Sequence, residues 1–86
     1  MAKQKKGASK TFRLDVSYPL ARAFDLDRVI TEAVGRASGS SGAGFGERDM
    51  NFYFASQRAM DAAARRLTAA KIAEVNWSTT WFWEEA

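Results

Sequence analysis

Eighty-six residues, 47% of them hydrophobic and 27% charged, make at most one globular domain. A chain of this length buries only about 60–65% of its unfolded surface, so each large apolar residue weighs heavily in its stability. The sequence has neither Cys nor His, which excludes a disulfide framework and thiolate metal sites and removes the commonest general base.

No apolar run approaches the ~18–20 residues of a membrane span, and no signal-type apolar segment follows the first lysines. The expectation is a soluble, cytoplasmic protein without membrane contact. Net charge is +3, and its placement is uneven. Lys3, Lys5, Lys6 and Lys10 fall in "MAKQKKGASK", which has no apolar periodicity. Without those four, nine basic side chains face ten acidic ones, a net −1. Residues 1–10 therefore read as a flexible basic tail and residues 11–86 as a nearly neutral domain.

Within the domain, "TFRLDVSY" alternates strictly. Phe12, Leu14, Val16 and Tyr18 share one face, and Arg13, Asp15 and Ser17 share the other. That is the period of a half-buried strand, which Pro19 ends. "DLDRVITEAVG" switches to helical spacing, with Leu26, Val29, Ile30, Ala33 and Val34 in one stripe. Asp25 stands at the N-cap position, and Gly35 where a left-handed C-terminal cap belongs. Residues 35–46 hold five of the six glycines and predict a long connection with a degenerate edge strand near 41–46. "RDMNFYFAS" alternates again, pointing Met50, Phe52 and Phe54 inward. Ser56 caps a second helix, "QRAMDAAARRLTAAK", whose apolar stripe is Met60, Ala63, Ala64, Leu67 and Ala70. Arg58, Asp61 and Arg65 line its other face at supportive spacings. A last strand runs over about 74–83.

The order strand, helix, weak strand, strand, helix, strand resembles an α+β, ferredoxin-like β-α-(β)-β-α-β sandwich. The resemblance implies an antiparallel sheet of order 4-1-3-2 with both helices on one face. It carries no function by itself.

In "VNWSTTWFW", parity separates Val75, Trp77, Thr79, Trp81 and Trp83 from Asn76, Ser78, Thr80 and Phe82. The second helix presents mostly alanine to the sheet, so Trp77 and Trp81 are expected to fill the volume left beneath it. Phe82 and Trp83 are expected to stay outside as a contact surface.

Catalysis finds little support. Asp15 and Arg13 share the open face with Tyr53, but no second carboxylate is clearly placed beside Asp15, and no nucleophile has a recognisable base. "GSSGAGFGER" lacks the Lys-Ser/Thr ending of a phosphate loop, and a strand follows it where a dinucleotide fingerprint needs a helix. The sheet also lacks the paired aromatics of RNA-recognition motifs, since the first strand offers only Arg13, Asp15 and Ser17 to the open face. No catalytic residue, metal site or cofactor is assigned.

The functional expectation is thus a non-enzymatic domain, an inhibitor, adaptor or assembly factor, binding another protein or a second copy of itself. Its contact residues would be Asn76, Ser78, Thr80, Phe82 and Trp83 on the last strand. The alternative is non-specific nucleic-acid binding through Lys3, Lys5, Lys6 and Lys10.

Overall fold

A computed structural model describes residues 8–85. Strand β1 (Ala8–Pro19) leads through one 3-10 turn (Leu20–Arg22) into helix α1 (Ala23–Val34). Strands β2 (Ser40–Gly44) and β3 (Glu47–Phe54) form a hairpin, followed by helix α2 (Gln57–Ala69) and strand β4 (Asn76–Glu85). The sheet runs β2-β3-β1-β4 with every neighbouring pair antiparallel. The chain has the ferredoxin-like α+β fold, and the weak strand of the Gly-rich segment is real.

The alternation in β1 decides the register. Leu14 lies opposite Phe52 on one side and Thr79 on the other, and Val16 opposite Met50 and Trp77. A slip of one residue would turn the whole apolar set of β1 to the open face. Phe12, Leu14, Val16 and Tyr18 are instead buried with Met50, Phe52 and Phe54 beneath Leu26, Ile30, Val34, Met60, Ala63, Ala64 and Leu67.

The helix ends follow local chemistry. Ser56 Oγ accepts from the Ala59 N–H at 3.2 Å, the expected N-cap of α2. Gly35 adopts φ 93°, and its N–H donates to the Thr31 carbonyl at 2.9 Å, closing α1. Arg66 of α2 reaches across to the same end, donating from Nε to the Ala33 carbonyl at 3.1 Å and from Nη2 to that of Val34. Asp25 is not the cap of α1. Because the 3-10 turn brings the chain into helix earlier, Arg22 holds that position, and Asp25 sits in the first turn, where a carboxylate suits the helix dipole. Val29 and Ala70 also leave their expected stripes and are exposed.

A part-buried polar network ties the layers together at the far end of β1. The Tyr18 hydroxyl donates to Asp27 of α1, and Arg48 of β3 grips the same carboxylate from Nε at 3.2 Å and Nη2 at 3.0 Å. Burial, and next the carboxylate beside it, push the Tyr18 phenol up to about 12. Burial would raise Asp27, but the hydrogen bonds from Arg48 and Tyr18 outweigh it and hold the carboxyl below its ordinary range.

Two further expectations need correction. Trp77 and Trp81 are not core residues: they are 44% and 51% exposed. Parity places them on the helix side as read, opposite Val16 and Phe12. However, α2 packs over β1 and β3, and its small Ala63 and Ala64 let it settle directly on those strands. The alanines fit a close helix–sheet approach, and the edge strand extends past the cover. The second correction concerns the tail. Ala8, Ser9 and Lys10 belong to β1, paired with Glu85, Glu84 and Trp83, so the strand begins inside the segment read as flexible.

Candidate functional site

The sheet has two edges of contrasting build. β2 is five residues long, contains Gly42 and Gly44, and is exposed throughout. Short, glycine-bearing edge strands discourage pairing. β4 is ten residues long, "NWSTTWFWEE", with no Lys, Pro or Gly to blunt it. Its outer backbone groups have no neighbouring strand among the described residues.

Side chains on β4 divide by face. Asn76, Ser78 and Thr80 are exposed on the open face, and Phe82 is half-buried there with the Arg13 guanidinium 6.0 Å from its ring centre. Trp83 lies on the opposite, helix-side face at 55% exposure, together with Trp77 and Trp81. The five expected contact residues therefore share one strand but not one surface. Four line the open face, and the fifth belongs to a tryptophan stripe on the other side.

That stripe is organised. Trp81 and Trp83 meet edge to face with ring centroids 6.2 Å apart and planes at 89°. Lys10 of β1 lays its ammonium 4.1 Å from the Trp81 centroid, 5.7 Å from Phe12 and 5.9 Å from Trp83. These contacts fix the rings and keep the cation at the apolar surface, each worth about 0.5–1 kcal/mol at an exposed position. Toward the other end of β4 the stripe opens into a groove of about 550 Å³. Ala64, Thr68 and Ala69 of α2 form one bank, and Trp77 and Thr79 form the other.

The open face is polar by contrast. Asp15 accepts from Asn51 Nδ2 at 2.6 Å and pairs with Arg13 at 2.7 Å, so its carboxylate is engaged inside the sheet. Asp49 lies one row along in a shallow hollow of about 420 Å³ that also takes in Ser17, Asn76 and Ser78. Among the described residues, no group of three or more carboxylates could hold a metal ion. No helix of the described residues is long and apolar enough to cross a membrane.

The Gly-rich segment turns out to be the β2–β3 hairpin. Its tip is Phe45–Gly46, with φ of 52° and 79°. Gly39 is required at its base, where an added Cβ would stand 2.3 Å from the Tyr53 ring. Of the basic residues read as an arm, Lys3, Lys5 and Lys6 lie outside the described residues. Lys10 is built into the sheet over Trp81.

Sequence reasoning missed Trp77 and Trp81 as surface residues, and it missed that Lys10 belongs to the sheet beside them. The available signal was the edge position of the last strand in a 4-1-3-2 sheet, because two helices cannot cover four strands equally.

No family model matches the chain. No curated protein matches it in sequence. Among solved structures, it is similar to the crystal structure of a "putative PII-like signaling protein" from Thermus thermophilus. The TM-score is 0.65 over 91% of each chain, at 12% sequence identity. At that identity the likeness establishes the fold and nothing finer.

Proposed function

We propose that this protein is a non-enzymatic regulatory domain, an inhibitor, adaptor or assembly factor, that acts by binding protein along β4. One observation carries the reading: three tryptophans stand about half-exposed on an unguarded edge strand while fourteen smaller or central residues fill the core. Tryptophan is the residue type most enriched at binding hot spots, and an open strand edge supplies the main-chain hydrogen bonds of sheet augmentation. A strand laid against β4 would meet Trp77, Trp81 and Trp83 on one face and Asn76, Ser78, Thr80 and Phe82 on the other. A regulatory role is supported, at the level of shared fold, by the signaling assignment of the Thermus protein.

The test is affinity capture from the native host with the wild-type chain, Thr80→Lys and Trp81→Ala. Protein retained by the wild type and lost with both variants supports the reading. Equal retention by all three removes it.

A further inference from the structure

Resting on that reading of β4, we infer that the partner strand is β4 of a second copy, joined antiparallel about a two-fold axis at Thr80. Three features lead there. The first is charge. From Asn76 to Trp83 the strand carries no ionisable side chain, so it can lie against itself without like-charge contacts. A strand awaiting a charged partner would show complementary groups along this stretch.

The second is parity. Residues directly opposite in an antiparallel pair share a face. A two-fold axis through a residue pairs odd positions with odd, which joins the two tryptophan stripes and sets both helix layers on the same side. Centring on Thr80 pairs nine residues of each strand, from 76 to 84. It places Trp81 opposite Thr79 of the other copy, large against small beside the axis, and Trp83 opposite Trp77. Centring one residue earlier would pair only the seven residues from 76 to 82 and leave Trp83 beyond the start of the other strand.

The third is area. With 44%, 51% and 55% exposure, the three indoles offer about half of their surface. At about 150–250 Å² for a buried aromatic, that is roughly 225–375 Å² per copy. A standard interface buries about 800 Å² per partner. Phe82, the small side chains and the newly paired backbone of nine residues supply the remainder. The product is an eight-stranded sheet whose helix layers flank a tryptophan-lined trough, and the exposed edges that remain are the two short β2 strands.

The chain has no cysteine, which makes the register directly readable. Thr80→Cys places two thiols across the axis, within the ~4.4–6.8 Å Cα separation that a disulfide spans. Ser78→Cys places its two copies about 14–15 Å apart, from a four-residue offset at ~3.4 Å per residue and the ~5 Å between strands, beyond reach. Both variants, in the full chain at tens of micromolar, are exposed to mild oxidant and resolved without reductant, and the wild type is sedimented at the same concentrations. The expected result is a dimeric wild type, with the Thr80→Cys dimer forming at least tenfold faster than that of Ser78→Cys. A monomeric wild type overturns the inference, as does a dimer in which the two variants cross-link at equal rates. A monomer whose captured proteins are still lost on Thr80→Lys keeps β4 as a contact for a different protein. A monomer whose captures ignore Thr80→Lys removes both readings.

Discussion

Replacing Trp81 by glutamine separates the two roles an edge tryptophan can have, because the cost of an amide depends on whether water reaches it. Trp81 is 51% exposed. The buried half of an indole is about 75–125 Å², worth about 2–3 kcal/mol at ~25 cal/mol per Å². Compactness of the unfolded chain lowers that by about 10–40%. Loss of the Lys10 contact restores about 0.5–1 kcal/mol, and the glutamine amide stays hydrated, so the total is about 2–3 kcal/mol. Were Trp81 enclosed, the full burial and an unpaired amide would together cost more than about 5 kcal/mol. A domain of this size has only about 5–10 kcal/mol in all, so such a variant would not fold. Urea unfolding at low micromolar concentration, where association contributes little, provides the assay. Phe52→Gln, at a fully buried position, is the matched control and should be unfolded. A Trp81→Gln protein that is likewise unfolded, or that loses more than about 4 kcal/mol, would show the indole to be enclosed and the exposure argument to be wrong.

Other consequences can be measured on the same protein. Tyr18 ionises at about 12 in the fold against about 10 when unfolded, so its contribution is complete below pH 10 and is lost as pH rises toward 12. Two pH units correspond to about 2.7 kcal/mol, and Tyr18→Phe should remove that part of the alkaline decline, which parallel denaturation of both proteins from about pH 9 to 12 would reveal. Ser56→Ala should cost about 1 kcal/mol through the Ala59 N–H it leaves uncapped, read as a lower urea midpoint with an unchanged slope. Phe45 holds φ 52° with its ring fully exposed, so Phe45→Asn should raise stability by about 0.5–1 kcal/mol, measured by thermal unfolding.

Much of this architecture is legible in the residue pattern, because alternation and helical spacing report which face a side chain takes. Phe12 to Tyr18, Met50 to Phe54, the Ser56 cap and the Gly35 turn all follow from local chemistry. What local chemistry leaves out is cover. Period two puts Trp77 and Trp81 on the helix side, but whether a helix lies above them depends on where α2 comes down on the sheet. Its alanines read equally well as space for a ring or as a surface for close approach, and the fold takes the second option. Lys10 escapes detection for a related reason. Its strand character comes from pairing with Trp83 at the distant end of the chain, and no apolar periodicity around it announces that partner. Parity gives both the common face of Asn76, Ser78, Thr80 and Phe82 and the opposite face of Trp83, but not that the strand runs on to Glu85 and so keeps Trp83 within the sheet.

Amide hydrogen exchange along residues 76–85 tests the role of β4 most directly. Every second N–H of a bare edge strand points away from β1 and exchanges with solvent, whereas a strand added to β4 protects those same groups. These outward amides should gain protection as protein concentration rises from low micromolar to millimolar, with the β2 edge unchanged. Exchange at β4 that stays fast and independent of concentration, while the molecule associates through some other face, would rule out β4 as the contact strand.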